Sequence, residues 1–152
     1  MEYFLERSCP MTYEMYFEIK CLCEEYYSKK KMEHAKAVES YVMKDTRYAL
    51  MIAEDQYIAR AAALAHDLLE DTNCTYDEIN AISCTVAEIT YLLTHFQKVS
   101  YYDYCKQIVD SKDIIAILVK TADIKDHLMR KKTLSDKLKT KYAAVIPLFL
   151  AA

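Results

Sequence analysis

The chain has 152 residues, 53% of them hydrophobic and 28% charged, and its 20 Lys and Arg against 23 Asp and Glu leave a net charge of −3. That mix belongs to one folded domain, residues 1–152, and excludes general disorder and an overall basic footprint for nucleic acid. With no glycine and two prolines, the residues that hairpin turns prefer are missing, so an all-β fold and a glycine-rich phosphate loop are both excluded.

The predicted elements are all helical. Thr12 reads as an N-cap, and Met15, Tyr16, Ile19, Leu22, Cys23 and Tyr26 follow helical spacing, which predicts a helix over 12–27. The run Ser28, Lys29, Lys30, Lys31 reads as a basic loop. A second helix spans 32–44, with His34 at its opening and Ala35, Val38, Tyr41 and Val42 on one face. A third starts near Asp55 and runs unbroken through Ala61, Ala62, Ala65, Leu68 and Leu69 to Thr72. Thr75 and Glu78 form a capping box for a short helix. Further helices are expected over 83–95, from Ser100 to about Ile108, over 112–130, and over 134–150 with a bend or restart at Pro147. Each carries an apolar stripe and the connections are short, so the expected architecture is an orthogonal helical bundle.

Six cysteines, at 9, 21, 23, 74, 84 and 105, include no CxxC pair and read as reduced thiols in a cytoplasm. The N-terminal run MEYFLERSCP carries charge inside its apolar stretch, unlike a signal peptide. No uncharged apolar run approaches the roughly 18 residues of a membrane span, so no membrane partner is expected.

The segment Ala62 to Thr72 concentrates chemistry. On a continuous helix His66 and Glu70 are i and i+4, as are Asp67 and Asp71, beside a stripe of alanines and leucines that must be buried. Burying such groups costs several kcal/mol unless they are paired or hold a cation. A divalent metal resolves that conflict. His34 and Asp123 are the candidates to complete its ligands. Two imidazoles and two carboxylates suit Mn²⁺, Fe²⁺, Mg²⁺ or Zn²⁺. Asp123 is alternatively read as the partner of Lys120, three residues earlier.

The order His34, His66-Asp67, Asp123, with HDLLEDT at 66–72 and KTAD at 120–123, resembles the HD-domain metal-dependent phosphohydrolases. It is most similar to the branch that removes the 3′-pyrophosphate of the alarmone (p)ppGpp, whose motif is HDxxEDT. The resemblance covers about 23–134 and extends to LLT at 92–94 and SYYDYCKQI at 100–108. It implies an all-α HD-type bundle in which His34, His66, Asp67 and Asp123 hold one ion, Mn²⁺ first. It implies that Glu70 and Asp71 position and deprotonate the attacking water. The resemblance departs where the family reads the nucleotide. The first histidine stands in Lys30-Lys31-Met32-Glu33-His34-Ala35 rather than before a proline, and His127 occupies a position that is usually Asn.

For substrate contact the candidates are Lys30, Lys31, His127 and Arg130. The lysines would steer a polyphosphate. His127, one turn beyond Asp123, is read as touching phosphate, giving a proton or adding a ligand. Arg130 belongs to residues 120–141, which carry an excess of five positive charges; it is read as meeting a phosphate or as complementing the helix dipole. His95 is read as structural or at the rim. Most of the fourteen tyrosines sit at core spacing; Tyr26, Tyr27, Tyr101 and Tyr102 are the candidates for base stacking. The expected activity is hydrolysis of a phosphorylated nucleotide, (p)ppGpp first, with a nucleoside monophosphate or dNTP as the alternative substrate. A non-catalytic HD-fold protein binding a nucleotide or a partner is the alternative class.

Overall fold

Eight helices begin at a Ser, Thr or Asp whose side-chain oxygen accepts a backbone N–H of the first turn: Thr12, Ser28, Asp45, Thr75, Ser83, Ser100, Asp113 and Ser135. Each cap satisfies a donor that the helix cannot satisfy itself. The computed structural model describes residues 10–152, so the readings of Cys9 and of the N-terminal run fall outside the described residues. The elements are α1 (Tyr13–Tyr26), α2 (Lys29–Lys44), α3 (Thr46–Ala49), α4 (Ala53–Ala65), α5 (Leu68–Asp71), α6 (Tyr76–Asn80), α7 (Cys84–Leu92), α8 (Tyr101–Asp110), α9 (Ile114–Met129) and α10 (Asp136–Leu150). There is no strand among the described residues.

The centre of the core is α4. Ile58, Ala59 and every residue from Ala61 to Ala65 are buried, so the second half of this helix is enclosed, with α1, α2, α7 and α9 packed against it. Its alanines let four neighbours approach closely, while Ile58 and Leu64 fill the gaps between them. Truncating Leu64 to Ala would cost about 2–5 kcal/mol. None of the helices among the described residues is long and apolar enough to cross a membrane.

Several boundaries correct the sequence reading. Ser28 to Lys31 is not a loop: Ser28 caps α2 and the lysines form its first turn, which places His34 further inside the helix. A separate short helix, α3, precedes α4 because Asp45 accepts the Arg47 N–H and starts a new turn. The helix expected over 83–95 stops at Leu92, and α10 runs through Pro147 as one helix, since the lost N–H lies three residues from its end. The largest correction is that the helix expected through 55–72 breaks at His66 and Asp67. Lys112, between α8 and α9, is the only described residue at positive φ (57°); neither Asn73 nor Asn80 takes that conformation.

Candidate metal centre

Tyr27, the C-cap residue of α1, causes the break in α4. Its hydroxyl donates to Leu64 O at 2.8 Å and accepts the Asp67 N–H at 3.2 Å, so a phenol occupies the place of two rungs of the helical ladder. Ala63 O is taken at 2.7 Å by His66 Nδ1. Asp67 then adopts φ −99° and ψ 0°, and the ladder resumes with Asp71 N–H donating to Asp67 O. The turn brings the side chains of His66 and Asp67 together instead of splaying them around a helix.

Three imidazoles converge on one carboxylate oxygen. Asp123 Oδ1 lies 3.1 Å from His34 Nε2, 3.5 Å from His66 Nε2 and 3.1 Å from His127 Nε2. Asp67 Oδ2 lies 3.3 Å from His66 Nε2 and 3.8 Å from His34 Nε2. Ligands about 2.1 Å from a six-coordinate ion stand about 3 Å apart at neighbouring positions, so these spacings suit a shared cation. The outer nitrogens point the same way: His34 Nδ1 meets Asp126 Oδ2 at 2.6 Å and His66 Nδ1 donates to Ala63 O. That arrangement turns both Nε2 lone pairs inward. Among the described residues, His66 Nε2 is buried without a well-formed hydrogen bond, although both carboxylates stand close to it. The described residues include His34, His66 and Asp67, and His34, Asp123 and His127, as groups whose donor atoms lie within 4.8 Å of one another. The residues therefore fit a divalent metal, and the mixed N/O set accommodates Mn²⁺, Fe²⁺, Zn²⁺ or Mg²⁺.

The charge around the site calls for a cation, either a proton on the imidazole or a metal that displaces it. Burial alone would lower the pKa of His66, but Asp67 and Asp123 outweigh it and hold the imidazole well above its usual value. Burial opposes ionisation of Asp123, yet the Lys120 ammonium and the three histidines hold its carboxyl well below the carboxylate range. Lys120 is itself buried and donates to Asp123 Oδ2 at 2.8 Å. The pairing with Lys120 that the sequence offered thus uses Oδ2, leaving Oδ1 to face the imidazoles.

Glu70 and Asp71 lie on α5, with carboxylate oxygens within 4.8 Å of one on Asp67. Glu70 Oε1 accepts the His95 N–H at 2.7 Å, which makes His95 a rim residue that positions Glu70. Burial raises the Glu70 carboxyl above its usual value, against the pull of that N–H. Asp71 pairs with Lys31, whose ammonium also lies 3.7 Å from Asp67.

A cleft of about 910 Å³ opens beside His34 and His127. All four residues expected to contact substrate, Lys30, Lys31, His127 and Arg130, line it, joined by Lys131 and Lys132. Among the described residues, no Asp or Glu is part of its lining. Glu70 and Asp71 face instead two smaller recesses, of about 440 and 450 Å³. Among the stacking candidates, Tyr27 and Tyr101 are packed inward, Tyr26 bonds Glu78, and Tyr102 lies outside the cleft. The tyrosine of the cleft wall is Tyr142.

Sequence reasoning gives no role to Asp126, although it follows Asp123 by three residues and precedes Arg130 by four, the spacing of one helix face. Its Oδ2 accepts both His34 Nδ1 and, at 2.5 Å, Arg130 Nε. In the sequence Lys120 stands in KTAD and as a rival to ligation by Asp123, without a place at the site, and Tyr142 carries no signal. Compared with known protein families and curated proteins, the sequence matches no family model and no curated protein.

Proposed function

We propose that this chain is a metal-dependent phosphohydrolase of the HD type that acts on a phosphorylated nucleotide in the cytoplasm, with the 3′-pyrophosphate of (p)ppGpp as the first substrate to test. The observation that carries the reading is the convergence of His34, His66, Asp67 and Asp123 at the edge of a cleft lined by five Lys and Arg. A divalent ion held by those four residues would lower the pKa of a neighbouring water and offset phosphate charge. Lys30, Lys31 and Arg130 hold the phosphate groups in line, and His127 meets the substrate at the junction of cleft and ligands. Glu70, its carboxyl pKa raised by burial, takes the proton of the attacking water and returns it to the leaving oxygen. Asp71 keeps Lys31 turned toward the site.

A second reading has its own support. Glu70 is engaged by His95 N–H and Asp71 by Lys31, and neither lines the cleft, an arrangement that suits nucleotide binding without turnover. The experiment that separates the two measures pyrophosphate and phosphate release from ppGpp with Mn²⁺, alongside GMP, dAMP and dGTP, with Asp67→Ala as control. Turnover of ppGpp that disappears in the variant is the expected result. Turnover of a monophosphate or dNTP alone would keep the chemistry and replace the substrate. Binding without turnover of any of the four would favour the second reading.

A further inference from the structure

We infer that His127 is itself a protein ligand of the metal centre, which would then present three imidazoles and two carboxylates. The inference rests on the metal centre proposed above and adds a residue to it. Asp123 and His127 are i and i+4 on α9, so both side chains reach the same point from one face. His127 Nε2 stands 3.1 Å from Asp123 Oδ1, the oxygen that His34 Nε2 meets at the same distance. The His34 and His127 rings lie 4.7 Å apart, tilted by 40°.

An ordinary i,i+4 ion pair does not account for this arrangement. Asp123 is only 4% exposed and its other oxygen already holds Lys120. Oδ1 has two lone pairs, and three imidazole nitrogens crowd it. Two of those nitrogens can turn lone pairs to a metal in place of a proton, because their rings donate outward to Asp126 and Ala63. A cation among them converts that crowding into coordination. The third ring is also held in place, since Tyr142 of α10, 5% exposed, stacks on His127 at 5.4 Å and 13°. Fixing a ligating ring from behind reduces the freedom it loses on binding.

A third imidazole changes what the centre prefers. Nitrogen donors favour Co²⁺, Ni²⁺ and Zn²⁺ over Mn²⁺ and Mg²⁺. The chain would therefore discriminate more strongly against Mg²⁺ than a site with two imidazoles.

The test is pulsed EPR of the full chain loaded with Mn²⁺, which counts coordinated imidazole nitrogens, with Co²⁺ and Mg²⁺ affinities measured beside it. The expected result is three nitrogens in the wild type and two in His127→Asn. Co²⁺ affinity should fall by at least about tenfold in that variant, and Mg²⁺ affinity by less. Tyr142→Leu should keep three nitrogens and weaken Co²⁺ binding by a smaller factor. Two nitrogens in the wild type would place His127 outside the coordination shell and overturn the inference while leaving the centre standing. Three nitrogens that persist in His127→Asn would also overturn it. A wild type that binds none of these metals would overturn both the inference and the reading on which it rests.

Discussion

Helix α2 buries two polar side chains, Glu39 and His34, and they sit in networks of opposite character. Around Glu39 the network closes on itself. Tyr16 donates to Glu39 at 2.5 Å, Arg60 Nε donates to the same oxygen at 2.9 Å, and Arg60 Nη2 donates to the Tyr16 hydroxyl at 2.9 Å. The guanidinium also lies 4.3 Å above the Tyr16 ring. Around His34 the network is overfilled: three nitrogens share one oxygen, and among the described residues His66 Nε2 makes no well-formed hydrogen bond. Burial and charge are common to both. A surplus of donor atoms with no mutual solution belongs only to the second, and that surplus marks a place for a ligand.

The contrast can be tested from both sides. Asp67→Ala should reduce metal-dependent phosphate release by roughly a thousandfold or more, the several kcal/mol that metal chemistry supplies, in steady-state assays. Glu70→Gln should lower kcat by about 10²–10⁴ while metal affinity, read by titration, stays unchanged. Saturating Mn²⁺, at a hundred times its Kd, should stabilise the wild type by about 2.7 kcal/mol in thermal unfolding and leave Asp67→Ala unmoved. Glu39→Ala should show the reverse pattern. It should lose about 2 kcal/mol in urea unfolding through the stranded Arg60, yet keep the Mn²⁺ response and the activity of its folded fraction.

The smallest expected effect lies away from both networks and serves as a control. Arg47 hydrogen-bonds Asp45 and holds its carboxyl below the usual 3.8. The ionised form therefore stabilises the fold above that value, and the contribution disappears as pH falls through the folded pKa. Asp45→Asn keeps an N-cap oxygen and removes the charge. The wild type should exceed it by about 0.5 kcal/mol near neutrality, with the gap closing in acid when unfolding is followed across pH.

Local chemistry is readable in the sequence and remote partners are not. Thr12 and Ser100 cap helices as their positions suggest, and Thr75 with Glu78 forms the expected capping box. The all-helical class follows from a chain without glycine. The break after Ala65 is invisible because the alanine and leucine spacing continues straight through it. Its cause is a hydroxyl forty residues away on Tyr27, and no local pattern encodes that. The same limit hides Asp126, whose partner His34 lies 92 residues distant, and Lys120, whose flanking rings, Tyr101 and Tyr104, come from α8. His34, His66, Asp67 and Asp123 can be named from residue type and order, but their convergence needs the fold.

Lys112 has one more consequence. A side chain with a Cβ in the left-handed region costs about 1–2 kcal/mol, and glycine would remove most of that cost. Yet the corner it makes is the one from which α9 departs with Asp123, Asp126 and His127. Glycine would also leave that corner looser in the unfolded chain and freer to open in the folded one. With a Cβ at that corner fewer conformations are open to the chain before folding, so the helix carrying both Asp123 and His127 starts from a joint with less freedom to lose.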